Sequence, residues 1–165
     1  MKRLLIVGLV FVVLFVALSC GSKAKIDTPE NLAATVVKAV LLNNQELYKK
    51  CLLNEKDLDF LLPLVKMPPE REAKFREEFK TEYLTEMISS LEEVRVAALK
   101  DGVDNLNYEI VNVDYKINTK EGWEETDIFV TIKSNNVEYK LKLDDCLKCP
   151  KGWKLGDNMR WQGKK

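Results

Sequence analysis

The most reactive side chains in this sequence are the thiols of Cys51, Cys146 and Cys149, the last two of which form a Cys-x-x-Cys pair. Thiols at this spacing can bind a metal ion or exchange disulfides. A zinc site needs about four ligands, however, and the sequence has no histidine and only Cys51 to add. Redox pairs lie at the start of a helix, whereas this pair lies between two predicted strands. We therefore favour a structural disulfide over free thiols, and both over a metal or redox site.

Two arrangements of this disulfide remain open. A bond from Cys51 to Cys146 or Cys149 would remove more chain entropy, worth about 4 to 5 kcal/mol. It requires Cα atoms within about 7 Å of each other, which a sequence does not establish. Because Cys146 and Cys149 are near neighbours along the chain, we predict that they are the bonded pair. Cys51 is then a buried apolar residue beneath the first helices.

The absence of histidine excludes the commonest general base and the Ser-His-Asp type of catalysis. None of the seven glycines belongs to a phosphate-binding loop or a dinucleotide fingerprint. An enzyme would have to take its acid or base from a helical carboxylate such as Asp57, Asp59 or Glu82. We expect no catalytic residue, no metal and no cofactor, and we keep carboxylate chemistry as an alternative.

A fourth cysteine, Cys20, follows a segment of another kind. Lys2 and Arg3 precede an unbroken apolar stretch from Leu4 to Leu18, and this order is typical of an export signal. The alternative is a transmembrane anchor, which usually needs about 20 apolar residues, and this stretch is shorter. We therefore favour export with cleavage before Cys20, where the small residue Ser19 gives a peptidase access to the backbone.

The segment Val16-Ala17-Leu18-Ser19-Cys20 resembles the bacterial lipobox. The resemblance implies that Cys20 is lipidated and that residues 1–19 are removed as a lipoprotein signal peptide. Each buried acyl methylene contributes about 0.8 kcal/mol, so two or three acyl chains would hold the protein on a membrane. We expect residues 20–27 to form a lipidated tether and residues 28–165 to form a single domain. That domain would lie on the exported side of a bacterial cell membrane or outer membrane.

The overall charge is balanced, with 26 Lys and Arg residues against 26 Asp and Glu residues. Cleavage would remove Lys2 and Arg3 and leave the mature chain slightly acidic, which argues against nucleic-acid binding. Acidic residues concentrate between Asn54 and Asp101, and basic residues concentrate in the tail after Lys148. We interpret both groups as solvated surface.

The first half of the chain has the apolar spacing of helices. Thr28-Pro29 is a strong helix start, with a hydroxyl N-cap followed by proline at the first helical position. We predict helices from Pro29 to about Leu42 and from Gln45 to Leu52, and a third helix after Asn54 that Pro63 and later Pro68-Pro69 end.

A longer helical pattern runs from Pro69 to Gly102. Two Ser-x-x-Glu matches, beginning at Ser89 and Ser90, look like capping boxes and predict a break near Ser89. Apolar and aromatic residues recur at steps of three and four, which predicts a face buried in the core: Phe75, Phe79, Tyr83 or Leu84, Met87 or Ile88, Leu91, Val94 and Ala98.

After Gly102 the apolar residues alternate with polar ones, which predicts strands. The alternation from Leu106 to Ile110 and that from Val113 to Ile117 have opposite parity. An extra residue near Val111-Asn112 is needed to keep one face inward, so we predict a β-bulge there.

Three more strands are predicted after a turn at residues 120–122. The second strand has Ile128, Val130 and Ile132 on one face. The third has Val137, Tyr139, Leu141 and Leu143 facing inward, with Glu138, Lys140, Lys142 and Asp144 facing outward. The last runs from about Trp153 to Leu155. These elements predict an α+β fold in which N-terminal helices pack on a curved antiparallel sheet of about four strands.

This order of elements, together with Thr28-Pro29-Glu30, Glu46-Leu47-Tyr48 and Lys151-Gly152-Trp153-Lys154-Leu155, resembles the nuclear transport factor 2-like (SnoaL-like) superfamily, and within it small bacterial lipoproteins. The resemblance implies a cone-shaped sheet with a pocket between helices and sheet. Members include enzymes, ligand binders and interaction modules, and the catalytic ones commonly place a histidine or a carboxylate inside the cone. Here the strand carboxylates are predicted to face outward: Asp114, Glu138 and Asp144.

We therefore expect a lipid-anchored cell-envelope protein that binds a small ligand or an envelope protein without chemistry. The membrane is an expected partner through lipidated Cys20, and nucleic acid is not. Two alternatives remain: an enzyme of the same fold that uses a pocket carboxylate, and thiol chemistry at Cys146 and Cys149.

Overall fold

The structure is a computed structural model that describes residues 26–120 and 122–165. The predicted signal peptide, Cys20 and the rest of the tether up to residue 25 lie outside the described residues. Within them the fold is α+β: helices come first in the chain, and a six-stranded antiparallel sheet follows. No described helix is both long enough and apolar enough to cross a bilayer.

Three short helices come first: α1 (Pro29–Leu41), α2 (Gln45–Cys51) and α3 (Glu55–Val65). Each begins at a side-chain cap: Thr28, Asn44 and Asn54 all accept a hydrogen bond from a backbone N–H of the first turn. Of the two predicted stops for α3, Pro63 does not end the helix, and Pro68-Pro69 follows its end. Pro63 lies exposed inside the helix, which continues to Val65.

The long helical pattern forms a continuous run made of α4 (Pro69–Glu78), a π-helical turn (Phe79–Tyr83) and α5 (Leu84–Asp101). Gly102 ends α5 with a φ of 98°, as a C-cap glycine does. The predicted break near Ser89 is wrong, because α5 passes through this residue and its hydroxyl donates to Glu93 instead. The irregularity lies earlier, in the π-helical turn.

The sheet contains β1 (Glu109–Tyr115), β2 (Asn118–Lys120), β3 (Trp123–Ser134), β4 (Val137–Cys149), β5 (Gly152–Leu155) and β6 (Met159–Lys164). The strand order is β1-β3-β4-β5, with β2 paired to the start of β3 and β6 paired to the first half of β4. The predicted bulge in β1 is confirmed, since the register with β3 shifts between Ile110 and Asn112.

The sheet has more strands than the expected four or so, because both β2 and β6 were missed. The polar tail after Asp157 was interpreted as surface, although Met159 and Trp161 alternate with polar residues along β6. In β1 the predicted first and last residues lie outside the strand, and Leu106 is 82% exposed. Alternation alone does not define where a strand ends.

A further correction concerns β4, which continues to Cys149. The Cys-x-x-Cys pair therefore lies inside a strand and not in a connection between strands. The reversal occurs only at Pro150-Lys151, because Cys149 pairs directly with Gly152 in β5.

The core lies between the helices and one face of the sheet. Its sheet side has the predicted register: Ile128, Val130, Ile132, Tyr139, Leu141 and Leu143 are all buried. On the helix side α1 contributes Leu32 and Val36, and α5 contributes Met87 and Leu91. The helical run thus has two parts, since α5 buries residues in this core and α4 buries none.

The described domain includes residues just before the predicted boundary at Thr28. Ile26 is buried, and its carbonyl accepts a 2.6 Å hydrogen bond from the Trp153 N–H. Gly152 makes this approach feasible: its φ is 121°, and a Cβ there would collide with the Ile26 carbonyl. The Gly-Trp pair of the closing strand therefore holds the start of the described chain.

Candidate functional site

The main candidate site is a cleft of about 480 Å³ between the helical run and the ends of β3, β4 and β5. Its size lies within the roughly 300 to 1,000 Å³ typical of small-molecule sites. A depression of about 490 Å³ around the turn at Asn135-Asn136 is as large, but its lining is mostly polar. The cleft beside the helices combines an apolar floor with polar groups at its rim, so it is the better candidate.

Aromatic side chains form the floor and walls. Phe75, Phe79 and Tyr83 follow each other at steps of four along the helical run. The rings of Phe79 and Tyr83 are stacked, with centroids 4.5 Å apart and planes 17° from parallel. Trp123, at the start of β3, is half-buried and lines the cleft from the sheet. Leu53 and Leu147 complete the apolar surface.

The Tyr83 hydroxyl holds this wall in place. It accepts a hydrogen bond of 3.2 Å from the Leu53 N–H and donates one of 2.8 Å to the Leu155 carbonyl. Burial raises the pKa of Tyr83 above its ordinary value, so the hydroxyl stays a neutral donor. The π-helical turn ends at Tyr83, and such turns are frequent at functional sites.

Carboxylates surround the aromatic floor. Glu78, Glu82 and Glu86 project from one side of the helical run, again at steps of four. Glu125, Asp145 and Asp157 contribute from the sheet and its connections, and no lysine or arginine is among the described lining residues. The cleft is therefore strongly negative.

Some of these carboxylates have partners and some do not. Glu78 lies 3.4 Å from the ammonium of Lys74, and Glu125 forms an ion pair with Lys120. Within the part of the chain that the structure describes, neither Glu82 nor Glu86 has an ion-pair partner. Like charges at steps of four destabilise a helix by a few tenths of a kcal/mol. The Glu82-Glu86 pair therefore does not help to stabilise this fold.

Asp145 is the most constrained of the rim carboxylates. Its backbone is left-handed, with a φ of 47°, and its N–H donates to the Asp127 carboxylate at 3.2 Å. Desolvation, and then the negative charges of Asp127, Asp157, Glu125 and Asp144, raise the pKa of its carboxyl above the ordinary value.

The three carboxylates considered for catalysis have different positions. Asp57 is buried, but its side chain accepts from the Asn54 N–H in the capping box of α3. Asp59 is exposed and pairs with Arg76 at 2.8 Å. Only Glu82 lines the cleft, and it is exposed. No buried carboxylate lines the described cleft, and Asp145, the rim carboxylate whose pKa is raised, is exposed there.

The strand carboxylates take part in ion pairs or face solvent. Asp114 is exposed, and Glu138 lies 2.9 Å from the ammonium of Lys165. Asp144 is only 8% exposed, because Arg160 contacts both of its oxygens at 2.7 Å and Lys142 lies 2.6 Å away. Burial alone would raise the pKa of Asp144, but these two cations outweigh it and the pKa lies below its ordinary value. None of the three lines the cleft.

The described cysteines are buried free thiols. Burial raises the pKa of Cys51 and of Cys149 to about 12 in each case, and it also raises the pKa of Cys146. Three residues of extended strand separate the Cα atoms of Cys146 and Cys149 by about 10 Å, more than the roughly 7 Å that a disulfide spans. Their bond would require the end of β4 to rearrange, and the pairing stays a prediction. The expected burial of Cys51 beneath the helices is confirmed.

A pocket between helices and sheet was expected, but most of the residues that line this cleft were missed because its aromatic residues were assigned to the core. Phe75 is 40% exposed, and neither Phe79 nor Tyr83 is fully buried. A usable signal was present in the sequence: the steps of four in Phe75-Phe79-Tyr83 are matched by those in Glu78-Glu82-Glu86. An apolar stripe beside an acidic stripe in which Glu82 and Glu86 have no described ion-pair partner is unusual for a helix that only packs on a core.

Comparisons of the chain with protein-family models, with curated proteins and with solved structures find no match. Among the described residues no group of three or more Cys, Asp or Glu side chains is arranged to hold a metal ion. Cys20 lies outside the described residues, so its lipidation stays a prediction. The functional argument therefore depends on the cleft.

Proposed function

We propose that this chain is a lipid-anchored binding module of the bacterial cell envelope whose cleft holds a small ligand without transforming it. The observation that carries the proposal is the cleft itself, with about 480 Å³ of space above an aromatic floor. Its polar groups are carboxylates at the rim, and none of them is buried. Such a lining supports recognition better than it supports proton transfer.

The fold is also compatible with the cone-shaped sheet of the nuclear transport factor 2-like superfamily, which remains part of the proposal. Register shifts occur in β1 at Val111 and between β3 and β4 near Asp127. Bulges of this kind bend long strands. The bend near Asp127 is close to Glu125 and Asp145, so sheet curvature and the cleft would be connected.

The anchor is the second part of the proposal. It rests on the basic residues, the apolar stretch and Ser19-Cys20 in the sequence. Only residues 21–25 separate Cys20 from the buried Ile26. Five residues span at most roughly 18 Å, so the domain would stay close to the membrane surface.

A ligand screen with one matched pair of variants tests the binding function. Phe75 lines the cleft and Phe60 does not, yet both are helical phenylalanines that are 40% exposed. A cleft ligand should raise the melting temperature of the wild type and of Phe60→Ala, but not that of Phe75→Ala. Recovery of the ligand unchanged after incubation would confirm binding without turnover. Ligands that stabilise all three proteins equally, or that are consumed, would contradict the proposal.

A further inference from the structure

The charge of the cleft limits the class of ligand more than the volume of the cleft does. Six carboxylates line it: Glu78, Glu82, Glu86, Glu125, Asp145 and Asp157. Two of these already have a lysine partner, while Glu82 and Glu86 have none among the described residues. An anionic ligand would be repelled by this rim, and a neutral one would gain no attraction from its charge.

The floor restricts the ligand in a second, independent way. The stacked rings of Phe79 and Tyr83 and the ring of Trp123 present aromatic surface to the cleft. Aromatic faces attract cations through their quadrupole, and they also bind apolar groups. A ligand that binds both the aromatic floor and the acidic rim has a positive charge and an apolar body.

The chain itself forms one such arrangement at the edge of the cleft. The ammonium of Lys120 lies 5.7 Å from the centroid of the Trp123 ring and pairs with Glu125. An ammonium group is thus held between an aromatic ring and a carboxylate. Glu82 and Glu86, on the helical side, could hold a second cation in the same manner.

We infer that the ligand of the cleft is a small organic cation, an ammonium group carried on an apolar or aromatic body. This inference rests on the proposed binding function and specifies its ligand class. A bare metal ion is a poor fit, because the described carboxylates are not arranged as a metal site and the aromatic floor offers no ligand atoms. The pKa of Asp145 is raised first by desolvation and then by the negative charge of neighbouring carboxylates, and a bound cation would neutralise the second of these.

Three probes with one body and different heads test the inference: 4-phenylbutylamine, 4-phenylbutanol and 4-phenylbutanoate. Their affinities for the wild type can be measured by NMR titration in low salt. The amine should bind at least about 10-fold more tightly than the alcohol, and the carboxylate should bind most weakly. Added salt should weaken the binding of the amine and leave that of the alcohol unchanged.

A pair of double variants separates the cleft carboxylates from the general charge of the protein. Glu82→Gln/Glu86→Gln removes two lining charges, and Glu70→Gln/Glu77→Gln removes two exposed charges from the same helical run outside the cleft. The first should reduce the preference for the amine over the alcohol by about 5- to 10-fold, and the second by less than about 2-fold. Both replace exposed side chains, so melting temperatures should confirm that both variants are folded.

The possible failures can be told apart. Equal binding of the three probes, abolished by Phe75→Ala, would overturn the cation inference and leave the binding function intact. An equal loss of preference in both double variants would overturn it as well, because long-range charge would then be the cause. No binding of the amine up to about 10 mM would also overturn the inference, while the ligand screen would still decide the binding function.

Discussion

Asp145 is a single residue with an energetic cost that the proposed cation binding would explain. It occupies a left-handed backbone position, where asparagine and aspartate are the best tolerated residues after glycine. Its carboxylate gains no cation in the described structure and lies near four other carboxylates, which together with desolvation raise its pKa. Stability is thus given up at the rim where we propose that negative charge serves binding.

We predict that Asp145→Asn stabilises the protein at neutral pH. A carboxyl with a raised folded-state pKa binds its proton more tightly in the folded state, so stability falls as pH rises from the ordinary value of about 4 through the raised one. The Asp145→Asn substitution removes this loss of stability. Because the side chain is exposed, the gain should be only about 0.5 kcal/mol. Urea unfolding at pH 7 and pH 3 measures it; an equal gain at both values would contradict the electrostatic cause.

At the level of elements, alternation of apolar residues predicted the sheet register well. The inward residues of β3 and β4 are buried as expected, and the change of parity in β1 corresponds to a real bulge. These features could be predicted because each depends on neighbours along one strand. β2 could not, because its three residues are held only by pairing with the start of β3.

The register of β4 supports a direct stability comparison. Leu141 is 1% exposed, whereas Lys140 beside it is exposed. Leu141→Ala should therefore destabilise the fold by about 2 to 5 kcal/mol, and Lys140→Ala by less than about 0.5 kcal/mol. Chemical denaturation of both variants provides the measurement. Similar losses at the two positions would show that the assigned faces are wrong.

The helical run shows where sequence reasoning fails. Aromatic residues at steps of four predict a helix face that is buried in the core. In α5 two apolar residues with the same spacing, Met87 and Leu91, are indeed buried there. In α4 and the π-helical turn, residues with this spacing line the cleft, because only residues distant in sequence cover that face of the helix. Tyr83 reaches the backbone of Leu53 and Leu155, and neither contact leaves a local signal.

At the scale of the whole molecule, we propose a ligand-binding domain joined to a membrane anchor. The anchor was predicted from a local motif, which needs no tertiary structure. A pocket between helices and sheet was expected from the resemblance, but most of its lining was not predicted, since Trp123 and the carboxylates of the sheet meet the helical run only after folding. Fold class was therefore accessible from the sequence, and most residues of the site were not.

We predict that Cys20→Ser releases the protein from membranes or leaves an uncleaved precursor, because the thiol that accepts the lipid is removed. Membrane fractionation and the mass of the mature N-terminus provide the readout. A Cys20→Ser protein that is still cleaved before residue 20 and still sediments with membranes like the wild type would refute the lipid anchor.

The most direct measurement of the central claim is the set of small molecules that co-purify with the full-length anchored protein. Mass spectrometry of extracts from the wild type, Phe75→Ala and Phe60→Ala should reveal a compound that is retained by the wild type and Phe60→Ala. It should be reduced at least about 10-fold in Phe75→Ala, since that variant loses an aromatic wall of the cleft. If the three extracts contain the same compounds in the same amounts, the cleft is not a binding site and the account is wrong.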